Sequence, residues 1–332
     1  MAGNTTVREY WRYFRQFVPY YLLAFVTLAH FVYTEVTWVP NMDKSFIIDT
    51  ESISKSYVER ELVTSELCLA LTVLVPMCVC LAYCSSKATD WKRSSVSRNF
   101  ERAAWMQPSP HRFHCAMVLM WACIGVTAML TNVLKFSIGN LRPDFVARCI
   151  PIQTATTRTP VRVSDTCSQP DLALLIEGMK STPSGHSSMI TCSCFFAWVW
   201  IHDHVTHISL SRKSILWLPL LALGVMVSRV VDHRHHWYDV VFGCVLGLLT
   251  VAAIYYGVPQ KNLSSSSQSD PDSLPTWPHP SAHILYSTLP PSYRQKKQKA
   301  PAKATPITRP PALTLTRVRK RTRVVLRPAR IA

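Results

Sequence analysis

Apolar residues along this chain gather into six long runs, at about 17–39, 62–84, 115–134, 187–205, 214–231 and 240–257. Each is near the length that a helix needs to cross the hydrocarbon of a bilayer. The stretch from Leu67 to Ala82 separates this reading from one of buried helices in a large soluble α protein, because it carries no charged residue and no polar face at helical period. Glu66 delays the apolar part of the second run, His202, Asp203 and His204 interrupt the fourth, and the last two are short. The pattern predicts an all-α protein, a bundle of six transmembrane helices.

The polar segments between the runs orient the bundle. Arg8, Arg12 and Arg15 lie in the amino-terminal arm, Lys87, Lys92, Arg93, Arg98, Arg102 and Arg112 in the second loop, and Arg212 and Lys213 in the fourth. Basic loops stay cytosolic, so both termini are expected there. The first loop, with Asp43, Asp49, Glu51, Glu59 and Glu61 against Lys44, Lys55 and Arg60, suits the opposite side. The first run is long and ends in Thr37-Trp38-Val39-Pro40 without a small-residue cleavage pattern, so it reads as an anchor and not as a removed signal.

After about residue 258 the composition changes. Ser264 to Ser267, many prolines and the basic clusters Lys296, Lys297, Lys299 and Arg317 to Arg323 predict a disordered cytosolic tail. The chain thus divides into an arm (1–16), a six-span body (17–257) and a tail (258–332). The tail supplies most of the formal charge of +17, so that total says little about the body. Its chemistry suits anionic lipid headgroups; nucleic acid is not expected, since no aromatic interleaving or recognition module is present. The eleven cysteines show no zinc spacing. Cys78, Cys80, Cys192 and Cys194 lie inside apolar runs, as packing residues. Cys149 and Cys167 share the long third loop, where a disulfide is open to them.

Three polar clusters sit beside the apolar runs: Lys135 to Pro143, Pro183 to His186, and Ser228 to Asp239. Ionisable groups near a bilayer are costly and mark functional sites by default. No membrane-length run separates Arg142 from His186, and two runs separate His186 from Ser228, so all three clusters can meet at the non-cytosolic face. Lys135, Arg142 and Arg229 offer three cations, and a guanidinium fork matches phosphoryl oxygens. Ser184 and Gly185 add a hydroxyl and a backbone amide where a helix begins. His235 and Asp239, four residues apart, fall on one helical face if the last span starts early, so the carboxylate orients the imidazole as a nucleophile. His186 is then the general acid and, in a second step, the base. Three fixed cations make a metal ion unnecessary, and no cofactor is expected.

The pattern K-x6-R-P (Lys135, Arg142, Pro143), P-S-G-H (Pro183 to His186) and S-R-x5-H-x3-D (Ser228, Arg229, His235, Asp239) resembles the type 2 phosphatidic acid phosphatase superfamily. The wording of Ile138 to Phe145 and Asp232 to Asp239 is similar to fungal lipid phosphate phosphatases of the diacylglycerol pyrophosphate phosphatase type. The resemblance covers roughly residues 8 to 256 and implies a helical bundle of PAP2/haloperoxidase-like type. It implies dephosphorylation of phosphatidate, lysophosphatidate and diacylglycerol pyrophosphate without Mg²⁺, through a phosphohistidine on His235, in an endomembrane such as that of the Golgi or vacuole. A sphingoid-base phosphate, a polyprenyl pyrophosphate or a sugar phosphate stays open as substrate, because phosphate ligands do not encode the leaving group. A non-catalytic membrane binding or transport protein on the same scaffold is the competing class. His233 and His236 read as structural or substrate-edge neighbours of the nucleophile.

Overall fold

The computed structural model describes residues 2–85, 99–152, 158–205 and 215–257. The tail from 258 and Lys87, Lys92, Arg93, Arg98, Arg212 and Lys213 lie outside the described residues. Each apolar run carries a helix: α2 (Val18–Thr37), α3 (Ser65–Cys84), α4 (Pro108–Ile138), α8 (Gly185–His204), α9 (Trp217–Val231) and α10 (Trp237–Tyr256). A further helix, α1 (Ala2–Arg15), precedes them. Their ends follow local chemistry. Thr64 caps α3 by accepting from the Leu67 N–H at 3.3 Å, and Pro108 opens α4. Gly139, at φ +53°, closes α4 in the left-handed conformation that glycine adopts without penalty.

α8 lies at the centre, packed by α3, α4, α9 and α10, while α2 lies on α4. Ile190, Phe196 and Trp200 of α8 meet Met120 and Ile124 of α4 and Tyr255 of α10 in the main core. Asn132 of α4 donates to Thr34 Oγ1 of α2 at 2.7 Å, a polar fastening between two otherwise apolar helices. Outer faces stay apolar: Phe25, Val26, Leu69, Leu220 and Leu249 are all exposed. Such an apolar girdle marks a lipid-facing surface.

By length and apolarity, α3, α4 and α10 can each cross a membrane, and Val7–Arg15 with Val18–Thr37 qualify as a pair bent by 58°. The six-span count is therefore not reached on those grounds. α9 has only 15 residues. α8 is enclosed by protein and can carry Ser187, Ser188, Thr191 and Ser193, all buried, where a lipid-facing helix would be uniformly apolar.

At one end of the bundle the connections form a second, smaller core. β1 (Ser45–Phe46) pairs antiparallel with β2 (Val161–Arg162). Around them lie the short helices α5 (Phe145–Cys149), α6 (Val163–Thr166) and α7 (Leu172–Gly178). Phe46, Ile53, Leu141, Phe145, Val163, Leu175 and Met179 fill the space between. Cys149 and Cys167 are joined by a disulfide, the pairing left open by the sequence.

α10 and α8 touch backbone to backbone. A Cβ at Gly243 would stand 2.5 Å from the Ser184 carbonyl oxygen, and one at Gly247 2.5 Å from that of Ser188. Only glycine permits this approach.

Candidate active site

The first two clusters are stitched together by main chain. Arg142 N–H donates to the Gly178 carbonyl at 2.8 Å and Ser181 N–H to that of Asn140 at 2.9 Å. Ser184 is the N-cap of α8: its Oγ accepts from Ser187 Oγ at 3.0 Å, which leaves its own proton free to donate. Lys135 projects from the last turn of α4 toward the start of α8, its Nζ 3.5 Å from where a Gly185 Cβ would lie. The third cluster joins by Ser184 N–H donating to the Asp239 carbonyl at 3.0 Å, and by His235, whose Nδ1–H donates to the Ser181 carbonyl at 2.7 Å.

That last bond fixes the chemistry of His235. A carbonyl can only accept, so Nδ1 bears the proton and Nε2 keeps its lone pair. The ring is buried, and burial followed by the nearby charges of Arg142, Lys135 and Arg229 holds its pKa well below the ordinary imidazole range. His235 is thus neutral and nucleophilic. The Thr64 backbone lies beside the His186 ring, and the ring's Nε2 is buried without a partner.

Both proposed phosphate arginines also carry a buried, unpartnered Nε. Each is gripped at a terminal nitrogen: Arg142 Nη2 by Glu177 Oε2 at 2.7 Å, Arg229 Nη1 by Glu61 Oε2 and the Val63 carbonyl, both at 2.9 Å. Arg148 and Arg234 have unpartnered Nε atoms too. Both guanidiniums lie over the Tyr57 ring, 4.9 and 4.7 Å from its centroid, which accounts for them. The free donors of Arg142 and Arg229 have no such account, and a buried unpaired donor is costly. They suit an oxyanion.

Asp239 departs from expectation. α10 begins at Trp237, so His235 lies before the N-cap, His236, and shares no helical face with Asp239. The carboxylate instead serves the helix start in a capping box, accepting from His236 N–H at 2.9 Å and Nδ1 at 3.1 Å. Its Oδ2 also accepts from Ser181 Oγ at 2.6 Å, and its Oδ1 from Thr182 Oγ1. Asp239 reaches His235 only through Ser181, whose hydroxyl it holds and whose carbonyl holds the imidazole. His233 and His236 are structural: each bonds to a carbonyl of the segment between α2 and α3, those of Ser56 and Ser52, at 3.1 Å.

Several site residues escaped the sequence reading. Glu177 bridges Arg142 to Lys180, and Lys180 bridges Glu177 to Glu35 of α2, each contact at 2.7 Å. Burial works to raise the Glu177 pKa, but Arg142, Lys135 and Lys180 overcome it and bring it down to about 2. Its place before Pro183 in a polar loop gave no periodic signal. Glu61 looked like one acid among several. Among the described residues no three His, Cys, Asp or Glu side chains gather as a metal site.

The family model described as PAP2 superfamily matches residues 116–263. Lipid phosphate phosphatase 1 of Saccharomyces cerevisiae is 40% identical over 242 residues, covering 72% of this chain and 87% of that protein. Diacylglycerol pyrophosphate phosphatase 1 of the same yeast is 28% identical over 224 residues, 64% and 70% of the two chains. Phospholipid phosphatase 1 of Rattus norvegicus is 30% identical over 152 residues, 44% and 54%. No solved structure matches.

Proposed function

Because this chain belongs to the PAP2 superfamily, we propose that it is a Mg²⁺-independent lipid phosphate phosphatase acting on phosphatidate, lysophosphatidate and diacylglycerol pyrophosphate. The protein is an integral membrane protein of a phosphatase family. In the proposed arrangement, six helices span the bilayer and the site opens on the non-cytosolic face, so acyl chains stay in the membrane while the headgroup enters.

His235 Nε2 attacks phosphorus in line with the leaving oxygen. Lys135, the free Nε edges of Arg142 and Arg229, the Ser184 hydroxyl and the Gly185 amide take up the charge that grows on the phosphoryl oxygens. His186, as the imidazolium, gives its Nε2 proton to the departing alcohol or phosphate and is left neutral. It next takes a proton from water, which attacks the phosphohistidine and releases inorganic phosphate. Asp239 acts at one remove, keeping Ser181 where its carbonyl fixes the His235 tautomer.

The observation that carries this reading is the imidazole of His235, tied at Nδ1 and free at Nε2, within electrostatic reach of Arg142, Lys135, Arg229 and His186. The test is phosphate release from phosphatidate, diacylglycerol pyrophosphate and a sphingoid-base phosphate in micelles containing EDTA. Wild type should release phosphate with EDTA present and His235→Ala should not. Release that requires added Mg²⁺, or that survives in His235→Ala, overturns the mechanism. No release from any of the three lipids turns the reading toward a non-lipid phosphate or a binding protein.

A further inference from the structure

We propose that Glu61 is a positioning residue for the phosphate site, so that the segment between α2 and α3, which carries none of the three motifs, is a working part of it. The inference rests on the phosphatase reading. A guanidinium binds a phosphoryl group well only when its flat fork is presented edge-on, and Arg229 hangs from a flexible stem at the end of α9. Glu61 Oε2 and the Val63 carbonyl both take Nη1, at 2.9 Å, and so turn the Nε edge away from themselves, buried and unpartnered.

Glu61 is itself anchored. Its Oε1 lies 3.0 Å from Arg234 Nη2, and the same Nη2 donates to the Val58 carbonyl at 2.9 Å. One residue on, Leu62 N–H donates to Asp232 Oδ2 at 3.0 Å, which pins the segment to the turn between α9 and α10. Thr64, three residues beyond Glu61, caps α3 and lies with its backbone beside the His186 ring. One short stretch of chain thus aims a phosphate ligand from outside every motif.

A plain structural role, in which Glu61 only fastens the loop, makes a different forecast from an aiming role. The experiment uses the full chain in detergent, comparing wild type, Glu61→Gln, Arg229→Lys and the double variant. The readouts are kcat and KM for phosphatidate, and the orthovanadate concentration that half-protects against thermal unfolding. For Glu61→Gln, kcat/KM should fall about tenfold or more and the half-protecting vanadate concentration should rise by a similar factor, the worth of one charge-assisted hydrogen bond. In the Arg229→Lys background the same change should cost less than about twofold, since no fork remains to be aimed.

Kinetics and vanadate protection of Glu61→Gln within about twofold of wild type would overturn the proposal, as would fully additive losses in the double variant. If Glu61→Gln does not accumulate, Glu61→Asp, which shortens the tether by one methylene, takes its place with the same readouts and the same deciding outcomes. Wild type that binds vanadate but releases no phosphate sinks the phosphatase reading and leaves the tether to be judged by vanadate alone.

Discussion

The state of His235 is imposed by its position. An exposed imidazole titrates near 6.5, whereas burial and then the neighbouring cations hold this one well below that value. The unfolded chain therefore binds a proton at this residue that the folded chain refuses, so stability falls as pH drops through about 6.5. Thermal melts of His235→Gln should show less loss between about pH 7.5 and about pH 5.5 than wild type; equal losses would assign the effect to other groups. Arg142 makes a second case. Its guanidinium spans from Glu177 at Nη2 to a free Nε, a geometry that an ammonium cannot copy while keeping the charge. Arg142→Lys should lower kcat/KM for phosphatidate by about tenfold or more in protein that still melts cooperatively. Wild-type kinetics in that variant would remove Arg142 from the phosphate site.

Between elements, the decisive contact is the one of α10 on α8. Ser184 and His186 ride on the first turn of α8 and His235 immediately precedes α10, so the closeness of the two helices sets the width of the site. Gly243→Ala would put a methyl group 2.5 Å from the Ser184 carbonyl oxygen and 3.1 Å from Ser187 Cβ. Overpacking of this kind costs about 1–3 kcal/mol. Turnover should suffer more than the melting temperature does, because small displacements of reacting groups are expensive. An active, stable Gly243→Ala would show that the helices can part. At this scale the sequence was informative: a helix lies on each of the six apolar runs, and the motif spacings named Lys135, Arg142, His186, Arg229 and His235, which the fold brings within electrostatic reach of one another. It failed where a residue acts through another. Four-residue spacing put Asp239 beside His235, but helix-capping chemistry claimed the carboxylate, and the link passes through the main chain of Ser181, which no side-chain pattern records. Glu61 and Glu177 were invisible for a related reason: an ion pair 168 residues apart in sequence leaves no periodic trace.

Across the whole molecule, the bundle and the smaller core at its end hold the site between them. The disulfide between Cys149 and Cys167, 18 residues apart in sequence, restrains the connection that carries the first cluster to the second and borders the smaller core. Closing a loop of that length stabilises by about 3 kcal/mol. Cys149→Ser with Cys167→Ser should therefore melt lower than wild type, and wild type treated with reductant should match the double variant. If neither treatment moves the melting temperature, the bridge contributes nothing to the fold. The backbone seam of Gly243 and Gly247 against α8 has a consequence for descent as well. Widening the site there would separate nucleophile from acid, so a lineage cannot accept a bulkier headgroup by remodelling that seam and remain an enzyme. New substrate tastes have to be acquired at those positions of the connecting segments that do not grip the site, leaving Glu61 and Glu177 in place.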